Sequence, residues 1–382
     1  MTLHALRLCQ ELIREGYEIE VITPFTTLRP NGNNFFWATE QKRSFLNEGV
    51  PTHVIGLNLA ERLFLLPLKK LQWRDHTREL AKRMLQSVLA PKFAQFFKQS
   101  DLVHYDGAGM EFIGFAASKA AKKMGIPFVI QPSVHIAQWG QLPVDHEFFR
   151  LADAMLAHSL VEKHYLQQVV GQTPVHLVYN GIDEQPGGNP QRFRDKFGIR
   201  SPFVLFLGRK TEDKGYFLLR EAFPMVAAKH PEVLLVCAGP DRGLAPEANQ
   251  MELEYISDQD KADALAACEF LCVPSEGESF GLVFLEAGRA KKPYIARDLE
   301  LFDDLLDANG ETGWRVGRRQ VDGRVVISAE GLAEGICHLL EQPILRKVEM
   351  GEAGYVNASR FLWEATVNRF IHAYRAALSC KC

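Results

Sequence analysis

The stretch from Pro274 to Arg289, PSEGESFGLVFLEAGR, constrains this chain more than any other. It follows the apolar run Phe270-Leu271-Cys272-Val273 and leads into a helical pattern that begins near Gly281. The order strand, loop, helix puts the loop at the carboxyl end of a strand, where ligands bind in open α/β sheets. Glu278 lies in that loop. Glu286 lies more than one turn inside the helix, about 7–8 Å further along at about 1.5 Å per residue. Amides at a helix start are free to face an anion. One element therefore offers hydroxyl acceptors at two depths, with phosphate-binding donors between them. A nucleotide-sugar has the same layout of sugar hydroxyls, diphosphate and ribose hydroxyls. Alone, two Glu at this spacing read as solvated charges near a helix end. The PS, FG and EA neighbours set this pair apart.

The pattern Glu278–x7–Glu286, within PS–x2–E–x–FG–x4–EA, resembles the signature of glycosyltransferase family 4, retaining enzymes of the GT-B fold. The resemblance implies an α/β chain with two Rossmann-like domains facing each other across a cleft. It implies that Glu278 contacts the donor sugar and Glu286 the ribose, with backbone donors around Phe280, Gly281 and Leu282. The expected boundaries are 1–183 for an acceptor-side domain, 191–360 for a donor-binding domain, and 361–382 for a closing helix that crosses back to the first.

Other stretches carry the resemblance further. Phe203 to Leu207 reads as a buried strand, and Gly208-Arg209-Lys210-Thr211-Glu212-Asp213-Lys214-Gly215 after it resembles the family's GR–x4–KG loop. Arg209 and Lys214 bring two cations to a strand end, where fixed positive charge stabilises a departing diphosphate. That chemistry requires no metal ion. Lys210, Glu212 and Asp213 read as a solvated charged turn. Val233 to Cys237 is a strand ending at Ala238-Gly239-Pro240-Asp241, where the family places its base-binding wall, with Gly239 in it. Tyr255-Ile256-Ser257 reads as a short strand at the same place, with the Ile256 backbone set to read the base. Helices are expected at 262–267, 329–341 and 344–358, and a strand at 293–296.

In the first half, a helix is expected with Leu6, Cys9, Leu12 and Ile13 on one face, stopped by Gly16, and Ile19 to Thr23 as a strand. The family carries a strand and a glycine-rich loop ahead of this helix. The sequence shows neither, so the expectation is a first domain truncated at its start. Residues 24–50 read as a long loop, and Val54 to Leu57 as a strand. Strands are also expected within Asp101–Gly107, where the strand ends in a loop, and at Pro127–Gln131, Ala152–Ser159 and Val175–Tyr179. His135 follows Gln131, where the family commonly has a histidine facing the donor sugar and β-phosphate; alone it reads as a packing histidine. His104 reads as strand-end packing in preference to lining the same cleft. Residues 60–98 alternate basic and apolar, from Arg62 through Lys70, Trp73, Arg74, Arg78, Lys82 and Arg83. The plain reading is an amphipathic helix with a solvated face; the other is peripheral membrane contact through 62–83. Residues 184–190, EQPGGNP, read as an interdomain linker.

A length of 382 residues suits two or three domains. The net charge of −3 gives no reason to expect nucleic acid as a partner. Seven scattered cysteines without metal-ligand spacing fit a reducing cytoplasm, and its membrane face if segment 62–83 docks there. No long apolar run suggests a membrane span, and no leader pattern opens the chain. The expected function is transfer of a hexose-type sugar from a UDP- or GDP-linked donor to a glycan or lipid-linked acceptor, with no cofactor. The competing reading is a relative that binds nucleotide without transferring sugar. A sugar epimerase or phosphorylase of related fold fits the motif register less well.

Overall fold

Short apolar runs without polar alternation build the central strands of the two larger parallel sheets, as expected where helices cover both faces. The computed structural model describes residues 3–24, 42–71, 74–135, 139–184, 187–240, 244–306, 310–320 and 325–379. The chain divides into two compact units, Met1–Gly181 with Trp363–Cys382, and Ile182–Leu362.

In the first unit the elements run α1 (Leu3–Arg14), β1 (Val21–Thr23), β2 (Arg43–Asn47), β3 (Val50–Val54), α2 (Leu59–Leu65), α3 (Leu68–Leu71), α4 (Asp75–Phe96), β4 (Val103–Asp106), α5 (Ile113–Lys123), β5 (Phe128–Gln131), α6 (Pro143–Phe149), β6 (Ala154–Ala157), α7 (Leu160–Val170) and β7 (Val175–Leu177). Four parallel strands pair in the order β4-β5-β6-β7, and β1-β3-β2 form a second sheet. Helix α1 buries Leu6, Leu8 and Leu12, whereas Ile13, expected on that face, is 36% exposed. The long loop expected over 24–50 is corrected where it is described. Residues 43–54 form an antiparallel hairpin, so the strand expected at Val54–Leu57 starts earlier and ends at Val54. Its turn places Glu48 at φ 47° and Gly49 at φ 87°. Two successive positive φ values match the twist of a two-residue hairpin, and Gly49 adopts its share without strain.

The single basic helix expected over 60–98 is three helices. Asn58 caps α2 in a reciprocal pair with Glu61. Lys82 does not face solvent: it is 6% exposed, pairs with Glu79 and Glu147, and lies over the Phe115 ring. Helix α4 must bury Leu85, Leu89 and Phe93 against α5, and that rotation takes Lys82 inward. Arg83 pairs with Glu79. Trp73 lies outside the described residues. Among the described residues, no helix is long and apolar enough to cross a membrane.

The second unit runs α8 (Pro190–Phe197), β8 (Phe203–Leu207), α9 (Tyr216–Lys229), β9 (Leu234–Ala238), β10 (Gln250–Leu253), α10 (Asp258–Ala267), β11 (Phe270–Val273), α11 (Leu282–Arg289), β12 (Tyr294–Arg297), α12 (Phe302–Leu305), β13 (Trp314–Val316), β14 (Arg318–Arg319), β15 (Val325–Val326), α13 (Ala329–Glu341) and α14 (Ile344–Ser359). Its parallel six-stranded sheet has the order β10-β9-β8-β11-β12-β13. Every residue of β8 and β11 is buried. Asn189, Ser257 and Ser328 cap α8, α10 and α13 through their side-chain oxygens. The last helix, α15 (Trp363–Ser379), belongs to the first unit. It buries Trp363, Val367 and Phe370 with Leu8 and Leu12 of α1.

Under α15 lies a cluster of buried imidazoles. Gln131 donates its amide to His158 Nε2, His104 Nδ1 is 2.8 Å from the Tyr374 hydroxyl, and the His4 ring lies 5.1 Å from that of Trp363. Burial lowers His4 to about 4; burial, then neighbouring His4, lowers His104 to about 4. Burial also drives His158 well below its ordinary value. A base with a lowered pKa contributes stability that is present above its unfolded value, near 6.5, and lost as pH falls towards the folded value. Buried Glu162 beside His158 is raised to about 7 and acts in the opposite sense, losing its contribution as pH rises. Thermal melts from pH 6.5 to 5 are therefore expected to show a loss on the order of 2 kcal/mol for each of His4 and His104, offset in part by Glu162. His4→Leu is expected to reduce that acid loss. An unchanged pH dependence in the variant would remove His4 from the account.

Candidate active site

Pairing of β8 with β11, Phe270 opposite Val204 and Leu271 opposite Leu205, brings the loops that follow them side by side. Glu276 N–H donates to Asp213 O at 2.9 Å and ties loop to loop. Lys214 Nζ sits 2.7 Å from Glu278 Oε1, and Ser275 Oγ donates to the same oxygen at 2.8 Å. The Glu278 side chain is 10% exposed and that of Lys214 19%. Arg209 reaches solvent and pairs with Asp213 at 2.8 Å.

Gly208 N–H donates to Ala238 O at 3.1 Å, which draws the ends of β8 and β9 together. A Cβ on Gly239 would lie 1.9 Å from Gly208 O, so this approach requires glycine. Gly281, at φ 82°, precedes α11 with no side-chain cap, and Leu282 opens the helix. Phe280 is buried edge-on against Phe361 at 5.6 Å. One turn on, Glu286 pairs with Lys261 of α10 at 2.8 Å. Sequence reasoning did not single out Lys261: only the packing of α10 beside α11 brings it there, and its local pattern is that of an ordinary helix-start charge.

Beneath the first loop, the sequence expectation is corrected. Lys210 is 5% exposed, donates to Leu253 O at 2.7 Å and pairs with Glu252 at 3.0 Å. Glu252 also accepts from Tyr216 Oη at 2.9 Å and Arg220 Nη1 at 2.7 Å. Burial, ahead of the bond to Glu252, raises the Tyr216 phenol to about 12, so it stays a donor. Tyr216 Oη accepts the Leu244 N–H, and Arg220 donates to Ala245 O. Glu252 thus anchors the residues beyond β9 from the edge strand β10. Ile256 is half-buried in a connection rather than a strand, because Ser257 already caps α10. Asp241 lies outside the described residues.

His135 belongs to the first unit. It exchanges backbone hydrogen bonds with Trp139 at 3.2 and 2.9 Å in the loop after β5, beside Val134, whose N–H donates to Glu162. Among the described residues no group of three His, Cys, Asp or Glu side chains could hold a metal ion.

A family model for glycosyl transferases group 1 matches residues 190–356, and one for glycosyltransferase family 4 matches residues 1–185. A phosphatidyl-myo-inositol mannosyltransferase of Mycobacterium tuberculosis is 30% identical over 228 residues, covering 57% of this chain and 58% of that protein. A D-inositol 3-phosphate glycosyltransferase of Segniliparus rotundus is 30% identical over 273 residues, covering 65% and 57%. The aligned part is thus under two thirds of these relatives. Among solved structures, sucrose-phosphate synthase of Thermosynechococcus elongatus superposes with a TM-score of 0.70 at 19% identity, covering 99% of this chain and 93% of that one. Anabaena HepE, solved with UDP and glucose, gives 0.62 at 16% identity, covering 94% and 99%. These likenesses show the GT-B fold. With one family model on each half, the chain belongs to glycosyltransferase family 4, the group 1 glycosyl transferases.

Proposed function

We propose that this chain is a retaining glycosyltransferase that moves a hexose-type sugar from a UDP- or GDP-linked donor to a hydroxyl of a glycan or lipid-linked acceptor. The observation that carries the reading is the meeting of Lys214, Ser275 and Glu278 at the carboxyl ends of β8 and β11. Lys214 and Ser275 hold one oxygen of Glu278, which leaves the other to accept from a sugar hydroxyl. Lys214 supplies fixed positive charge where the leaving diphosphate gathers negative charge. The uncapped start of α11 adds N–H donors from the same side. Arg209 joins them by exchanging Asp213 for the diphosphate. Glu286 takes the ribose. The reaction proceeds on one face of the sugar, a donor phosphate oxygen accepting the proton of the incoming hydroxyl, with no metal ion and no covalent enzyme intermediate.

Support for the donor class comes from HepE, whose crystals held UDP and glucose. Support for a lipid-linked acceptor comes from the phosphatidyl-myo-inositol mannosyltransferases. The outer face of α2 supports membrane contact. Leu59, Leu63 and Phe64, with Leu66 beyond them, are 40–71% exposed. Exposed Lys70 and Arg74 follow. Apolar side chains beside cations suit an anionic lipid surface.

In a screen of UDP- and GDP-sugars, one donor is expected to be turned over. Lys214→Ala should lower kcat/KM by about 10²–10³-fold, and Glu278→Gln should lower it with little change in nucleotide binding. Nucleotide binding without turnover of any donor would favour the non-transferring reading. Binding of none would overturn the assignment of these residues.

Co-sedimentation with vesicles of anionic phospholipid checks the membrane reading. Leu63→Asp with Phe64→Asp is expected to abolish binding, and Lys70→Glu with Arg74→Glu to weaken it by about 1 kcal/mol per charge. Parent protein that stays in the supernatant would remove membrane contact from the proposal.

A further inference from the structure

The connection that leads from β9 to β10 is exposed and yet pinned. Residues 244–248 face solvent, but buried side chains of α9 fasten their backbone. Tyr216 Oη accepts the Leu244 N–H at 2.9 Å, and Arg220 Nη2 donates to Ala245 O at 2.7 Å. At the far end Asn249 stands at φ 61°, and its amide donates to Pro231 O and Val233 O at 2.6 and 3.1 Å. Water satisfies the backbone groups of an exposed segment at no structural cost. Binding them to buried side chains instead fixes the shape of the segment.

One carboxylate holds both pins. Glu252 Oε1 accepts from Tyr216 Oη and Arg220 Nη1, and Glu252 Oε2 pairs with Lys210, which stands in the same loop as Arg209 and Lys214. The connection after β9 is thereby tied to the loop after β8. In the sheet β9 lies between β8 and β10, and α10 begins just after β10, where its Lys261 meets Glu286. A nucleotide with its diphosphate at Lys214 and its ribose at Glu286 therefore turns its base towards the carboxyl ends of β9 and β10. We infer, on the donor reading proposed above, that Glu252, Tyr216 and Arg220 are positioning residues, which set the connection at Leu244 and Ala245 as a wall for the base of the bound nucleotide.

The three residues act through the backbone they hold. A wall fixed before the ligand arrives spares the cost of ordering a loop on binding. Its contribution goes to the nucleoside end, because the cations for the diphosphate, Arg209 and Lys214, stand in the other loop. Tyr216 is the point at which the two roles separate. Its ring packs against Phe206 and Phe217 at 5.7 and 5.2 Å, and its oxygen alone joins Glu252 to Leu244. Removing that oxygen releases the connection and leaves the packing of α9 in place.

The test titrates the full chain with UDP, GDP and pyrophosphate by calorimetry. Tyr216→Phe is expected to weaken binding of the preferred nucleotide about tenfold, while pyrophosphate binds as it does to the parent. A general loss of stability would weaken both alike. Exchange of the Leu244 amide should quicken in the same variant. Glu252→Gln keeps an acceptor for Tyr216 and Arg220 and should recover most of the nucleotide affinity that Glu252→Leu loses. Glu252→Leu strands two buried cations and can unfold the unit, so the decision rests on Tyr216→Phe. A parent that binds neither UDP nor GDP would overturn the donor reading and this inference with it. A parent that binds one of them, beside a Tyr216→Phe variant whose ratio of nucleotide to pyrophosphate affinity is unchanged, would overturn this inference alone and leave the donor reading standing.

Discussion

The second unit depends on two strands that lie far apart in sequence and side by side in the sheet. β8 and β11 pair in parallel, buried on both faces, and their ends deliver two loops to one place. A parallel ladder fixes register by burial, since a slip of one residue would turn its side chains to the opposite face. The 2.7 Å meeting of Lys214 with Glu278 is therefore a consequence of hydrophobic pairing some residues below it. The bond between Glu276 and Asp213 and the close approach at Gly239 finish what the ladder begins.

Much of this was legible in the sequence, and for a physical reason. Phe203–Leu207, between Pro202 and Gly208, and Phe270–Val273, between Glu269 and Pro274, are uninterrupted apolar runs, the pattern a doubly covered strand requires. The loops after them carry charges at fixed offsets from those boundaries. What could not be read was pairing between elements. Lys210 and Lys214 stand in the same charged turn, yet one is buried on Glu252 and the other meets Glu278. Lys261 finds Glu286 only because α10 lies beside α11. Local composition is silent on such meetings.

The first unit shows the same limit from the other side. The basic pattern across α4 suggested one solvated face, but the need to bury Leu85, Leu89 and Phe93 decides the rotation of the helix and takes Lys82 with it. The hairpin at 43–54 was hidden because its turn is Glu-Gly and its first strand is mostly exposed, so neither apolar alternation nor a strong turn dipeptide marked it. His104 was read as packing at a strand end, and its bond to Tyr374 fits that reading.

One consequence of the paired charges concerns rates of encounter. Arg209 pairs with Asp213, Lys214 with Glu278 and Lys261 with Glu286, so each of these cations already has a carboxylate partner. Each cation's field is cancelled within a few ångströms, and ions in solution screen what remains beyond about 10 Å. For the proposed nucleotide-sugar donor, such pairing predicts little long-range pull, an arrival in the unsteered range of about 10⁵–10⁶ M⁻¹s⁻¹ and little dependence on salt. On that proposal, discrimination rests on how fast a poorly matched anion leaves, since a ligand that replaces those internal partners one for one holds the cations after contact.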